Sequence, residues 1–114
     1  MATAAVVKTK TVAKATKAQR DAALRRKRAQ QAAILIKHVS DPTRLRIILV
    51  LAEGERHVGA ICGAVDQSQP ATSHHVALLR HTGMIAARRQ GKNNFYALTE
   101  PGERLASIVK NVVA

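Results

Sequence analysis

Aromatic residues are almost missing from this 114-residue chain, which has no Trp, one Tyr and one Phe. A small core built nearly without rings is marginal alone, and this favours a partner copy. Cysteine is scarce too. Cys62 is alone, which excludes an intramolecular disulfide and with it a disulfide-stapled secreted domain. The longest apolar run, Ile47–Ala52, falls far short of the ~20 residues a membrane span needs, so no membrane partner is expected. Acids are few: 7 Asp and Glu face 19 Lys and Arg, a net charge of +12. That imbalance points to a polyanion, either nucleic acid or anionic lipid. No Ser/His/Asp set, Gly-rich phosphate loop or paired carboxylates occur, so no catalytic residues, cofactor or enzyme activity are expected. What is present is a 46% hydrophobic composition, enough for a real core.

The charge is concentrated at one end. Residues 1–30 hold nine of the 19 basic side chains and a single acid, Asp21. Residues 1–18 are rich in Ala, Thr and Lys and are expected to form a disordered basic arm. Residues 19–114 are expected to form the folded domain. Ala4–Val7 is too short for the apolar core of a secretory signal, and the basic cluster joins the domain without the break expected of a transit peptide. Arg25-Arg26-Lys27-Arg28 has the composition of a nuclear signal or a nucleic-acid patch, and it suits a solvated helix face and a DNA contact equally well.

From residue 19 the chain reads mainly as helix. Residues 19–38 lack Pro and Gly, and their apolar content rises toward Val39. Asp41 can cap a second helix, with Pro42 at its first position and Leu45, Ile48, Leu49 and Ala52 as its stripe. Val58, Ile61, Cys62 and Val65 make a short third helix. Asp66-Gln67 forms a turn, and Ser68 can cap a fourth helix that runs to about His81 with Thr72, Val76 and Leu79 inward. The period then changes to two. Met84–Arg89 and Asn94–Leu98 read as strands around a Gln90–Asn93 turn, with one of Phe95 and Tyr96 facing the core. Thr99 opens a last helix whose inward stripe is read as Leu105, Ile108, Val109 and Val112. The fold class is thus mainly α with a β-hairpin wing: a dimeric winged helix-turn-helix.

A helix that reads the major groove needs short polar side chains near its N-terminus. Ser68, Gln69, Ala71, Ser73, His74 and His75 supply them. Thr72 is counted with this group, although its spacing with Val76 and Leu79 also turns it inward. Gln pairs with adenine, Ser and His donate to bases or phosphate, and Ala meets a thymine methyl. Arg80 lies at the far end, suited to phosphate. The wing adds Arg88, Arg89, Lys92 and Asn93 for phosphate or minor-groove contact.

Five segments carry a family resemblance: Val39-Ser40-Asp41-Pro42-Thr43-Arg44-Leu45-Arg46-Ile47, Ser68-Gln69-Pro70-Ala71-Thr72-Ser73-His74-His75-Val76, Leu78-Leu79-Arg80-His81-Thr82-Gly83-Met84-Ile85, Arg89-Gln90-Gly91-Lys92 and Tyr96-Ala97-Leu98-Thr99. In this order and spacing, over about residues 33–110, the chain resembles the ArsR/SmtB family of bacterial winged-helix repressors. The resemblance implies a homodimer joined through its first and last helices, bound to double-stranded DNA at an imperfect palindrome as a cytoplasmic, nucleoid-associated repressor. Many metal-sensing members carry a Glu-Leu-Cys-Val-Cys box. Here Glu55-Arg56-His57-Val58-Gly59 stands in its place, and Gly offers no ligand. Others use acids and His on the last helix, but residues 100–114 contain no His or Cys. His57 and Cys62 alone cannot make a four-ligand site; His38 or the arm could complete one across a dimer, but no sequence feature demands it, and adjacent His74 and His75 point about 100° apart on a helix. No metal site is therefore expected, and the inducer is not legible. Cys62 reads as a buried, inert thiol and His57 as a helix-start histidine. The rival reading is an architectural nucleoid protein that uses the basic arm without sequence specificity.

Overall fold

A computed structural model describes residues 14–113 of the chain. Its elements are α1 (Lys17–Val39), α2 (Pro42–Ala52), β1 (Arg56–His57), α3 (Val58–Val65), α4 (Gln69–His81), β2 (Ile85–Gln90), β3 (Asn93–Leu98) and α5 (Glu100–Val112). Two compact units divide at Ile34 and Leu35, within the span of α1.

The first unit contains most of α1. The helix starts at Lys17, two residues before the expected position, because Thr16 and Gln19 form a reciprocal cap. Gln19 N–H donates to Thr16 Oγ1 at 3.1 Å, and Thr16 N–H donates to Gln19 Oε1 at 2.8 Å. Residues 1–13 of the expected arm lie outside the described residues.

The second unit holds the core. Asp41 caps α2, its Oδ2 accepting from the Arg44 N–H at 3.0 Å, and Pro42 fills the first turn as expected. Ile47, Ile48 and Leu51 turn inward from α2, meeting Ile61 and Val65 of α3 and Val76 and Leu79 of α4; of the expected stripe Leu45, Ile48, Leu49 and Ala52, only Ile48 is buried. Burying each such aliphatic side chain contributes about 1.5–3 kcal/mol. The helix α2 is the hub, packing against α3, α4, α5 and β3.

The sheet has three antiparallel strands in the order β1-β3-β2. The hairpin expected from the sequence is present, with Ile85 opposite Leu98 and Gln90 opposite Asn93. Gly91 takes φ +63° at the first turn position, where two-residue hairpin loops call for glycine. Tyr96 is buried and Phe95 half-buried, as their adjacency on a strand requires. Nothing in the sequence pattern suggests β1, which pairs Arg56 with Tyr96 and His57 with Phe95.

The N-terminus of α5 is capped by Thr99 and pressed onto the chain before β2. A Cβ on Gly102 would collide with the Met84 carbonyl oxygen, so only glycine fits there. The inward face of α5 is Gly102 and Ala106, with Leu105 packed beside them. The expected placement of Ile108 and Val112 is thus corrected. They are 57% and 75% exposed, because this short helix needs only its first two turns to close the core.

Candidate nucleic-acid interface

The helix α4 is anchored by one face and bare on the other. Thr72, Val76 and Leu79 are buried, while Gln69, Ser73, His74, Ala77 and Arg80 are exposed. The exposed set is short-chained and uncharged until Arg80. Asp66, at φ +55°, ends α3 in the left-handed region and turns the chain toward Ser68. Ser68 Oγ accepts from the Ala71 N–H at 3.3 Å, which leaves its own O–H available to donate. No acid sits in the first turn of α4. Pro70 has no N–H, and the Ala71 and Thr72 N–H groups are bound to Ser68, so of the first-turn donors of α4 Gln69 alone is left without a partner, at the positive end of the helix dipole.

Three of the sequence-derived candidates have other roles here. Thr72 is fully buried, so it anchors the helix and cannot reach a base. His75 is tucked toward α2, its side chain 17% exposed, and its Nδ1 accepts from Arg44 Nε at 3.1 Å. Only His74 of the pair is exposed. Arg88 is paired at the surface: Nε donates to Glu55 Oε2 at 3.2 Å, a second nitrogen pairs with Glu55 Oε1, and Nη1 donates to Gln90 Oε1 at 2.9 Å. Its guanidinium also lies 5.3 Å from the centre of the Phe95 ring. The Arg88 hydrogen bonds hold the Glu55 carboxyl below its ordinary range, and Glu55 raises Arg88 in turn. On the wing, Arg89, Lys92, Asn93 and Asn94 remain exposed, and Ala71 on α4 is half-buried. Neither side-chain tether is legible beforehand, because Arg44 and His75 lie 31 residues apart and Glu55 and Arg88 lie 33 apart.

Residues 41–87, from the cap of α2 into β2, match the model for bacterial regulatory proteins of the arsR family. The chain is 36% identical over 88 residues to a biofilm growth-associated repressor from Agrobacterium fabrum, covering 77% of this chain and 74% of that one. This chain belongs to the ArsR family. It is also 50% identical over 66 residues to the arsenical resistance operon repressor of Escherichia coli, spanning 57% of this chain but only 56% of that repressor. Its fold matches the homodimeric winged helix-turn-helix DNA-binding domain of a possible ArsR-family regulator from Mycobacterium bovis, with a TM-score of 0.69, 32% identity and 89% of each chain covered.

The family's metal box does not fit a metal here. His57 caps α3, its Nδ1 accepting from the Ala60 N–H at 3.3 Å, and its ring meets Phe95 edge-on at 5.9 Å. Gly59 has no side chain to offer. Cys62 is half-buried rather than buried, since it flanks the Ile61 and Val65 stripe instead of lying within it. Among the described residues, no group of three or more His, Cys, Asp or Glu could hold an ion, and no helix is long and apolar enough to cross a membrane.

Proposed function

We propose that the protein is a homodimeric, sequence-specific repressor that lays α4 in the major groove of each half of an imperfect palindrome and rests its wing on the flanking backbone. The observation that carries this reading is the division of α4 into a buried stripe and an exposed, neutral, short-chained face. Gln69, Ser73 and His74 read bases, and Ala71 meets a thymine methyl. Ser68, Arg80, Arg89, Lys92 and Asn93 hold phosphates. The basic arm adds phosphate contacts of its own.

Dimerisation is supported by the apolar side chains that the fold leaves outside. Ile36 near the end of α1, and Ile108, Val112 and Val113 at the end of the chain, are all more than half exposed. Joining the first and last helices of two copies would cover them and place two reading helices about one DNA turn apart, ~34 Å. Such a protein works at the nucleoid.

The test is selection of bound fragments from genomic DNA, with sedimentation of the free protein at micromolar concentration. The reading expects a dimer and a recurring two-fold site. A monomer that recovers fragments without a common sequence favours the architectural alternative. Adding metals, oxidants or thiol reagents to the bound complex then searches for an inducer.

A further inference from the structure

Within the second unit one arginine joins α2, α4 and the last turn of α1. Arg44 lies in the first turn of α2, and its backbone N–H is bound to the Asp41 cap. Its Nη1 donates to the His38 carbonyl at 2.6 Å, in the last turn of α1. Its Nε donates to His75 Nδ1 at 3.1 Å, midway along α4. The His38 carbonyl is one of the groups a helix end leaves without an internal partner, and a cation suits that end of the helix dipole. Asp41 Oδ2 stands 3.9 Å from the same imidazole nitrogen.

Val76 and Leu79 hold α4 by apolar burial, which has no direction and leaves rolling and sliding weakly opposed, and the buried Thr72 Oγ1 has no hydrogen-bond partner. A charge-assisted hydrogen bond has both length and angle, and it fixes those two freedoms. The bond from Arg44 is the only side-chain hydrogen bond between α4 and another helix among the described residues. It joins α4 to α2, and the Nη1 bond of the same guanidinium carries the link on to the end of α1, next to the exposed Ile36.

We propose that Arg44 is a positioning residue, which sets α4 against the end of α1 and thereby sets the half-site spacing that the dimer accepts. His75 serves as its acceptor and not as a reader of bases. This rests on the dimeric, operator-binding reading above.

The test uses the full chain and a set of duplexes: the selected operator, the same half-sites moved apart or together by one and two base pairs, and random DNA. The variants are Arg44→Lys, which keeps the charge but loses the fork; His75→Leu, which removes the acceptor; and His75→Asn, whose Oδ1 stands near the place of Nδ1. Wild type is expected to prefer one spacing. Arg44→Lys and His75→Leu are expected to lose about tenfold on that spacing, the scale of one hydrogen bond to a charged group, and to bind the shifted operators nearly as well. Random DNA should be bound as before, and His75→Asn should recover the spacing preference. If His75→Leu fails to fold by circular dichroism, Arg44→Lys alone decides. Unchanged spacing preference in Arg44→Lys overturns the proposal. So does a loss in His75→Asn equal to that in His75→Leu that is confined to operators carrying one particular base pair, because His75 would then be a reading residue. A wild-type protein without any operator preference overturns the dimeric reading itself, and this inference with it.

Discussion

The imidazole of His57 lies so close over Gly59 that a Cβ added there would stand 3.0 Å from His57 Cε1 and 3.2 Å from Nδ1. The two positions that carry Cys in the family's metal box form here one local device. A missing side chain at Gly59 gives the ring room to fold back and cap α3 through the Ala60 N–H. Capping, not coordination, explains this pair.

His57→Ala should therefore lower stability by ~1 kcal/mol, the usual cost of a lost cap, in chemical denaturation. Neither His57→Ala nor Cys62→Ser should change any response of the DNA complex to zinc, cadmium or arsenite. A stoichiometric metal site abolished by either substitution would contradict the cap assignment.

Through Glu55, stability should depend on pH with a definite sign. Its carboxyl is held below the ordinary value of 4.5, first by the Arg88 hydrogen bond and also by that residue's charge, against some desolvation. A depressed carboxyl contributes stability that is fully present above its unfolded pKa and is lost as pH falls through the folded one. The stability difference between wild type and Glu55→Gln should hold from neutral pH down to about pH 5 and close below 4.5. Denaturant titrations at a series of pH values check it, and a difference that widens in acid would be the wrong sign. Glu55→Gln also releases Arg88 toward phosphate, so binding to random DNA should strengthen.

Reading and holding should separate. Gln69→Ala or Ser73→Ala should cost ~1–3 kcal/mol on the operator and little on random DNA. Arg89→Ala and Lys92→Ala should weaken both alike. Equal losses from Gln69→Ala on the two DNAs would remove α4 from the reading role.

Deleting residues 1–24 removes five basic side chains, Lys8, Lys10, Lys14, Lys17 and Arg20, and keeps Arg25–Arg28. Operator and random DNA should be bound more weakly by similar factors at low salt. The slope of log K against log salt should become shallower by about 0.9 for each phosphate that is no longer neutralised. If the weakening falls mainly on operators with A/T-rich flanks, the arm reads a minor groove instead.

Much of this architecture is written in local signals. Asp41, Ser68 and Thr99 announce helix starts because a cap is made with residues three positions away. The same signal stands at Thr16-Lys17-Ala18-Gln19, where a capping box marks the true start of α1. β1 leaves no periodicity to find, being two residues long. Periodicity also misplaces the inward stripe of α5, because it finds apolar faces without saying which meets its own core and which waits for a partner. Ile108 and Val112 do not meet their own core. At the interface, Gln69, Ser73 and His74 are legible as an exposed polar face. The tethering of His75 and Arg88 is not, because their partners come from other elements more than thirty residues away.

Sequence reading by the exposed face of α4 is tested most directly by one ratio: the affinity for the selected operator over that for random duplex of equal length, at physiological salt. A ratio on the order of 10³ or more, lost in Gln69→Ala, is the predicted result. A ratio near one in the wild-type protein, with binding governed by salt alone, would contradict it.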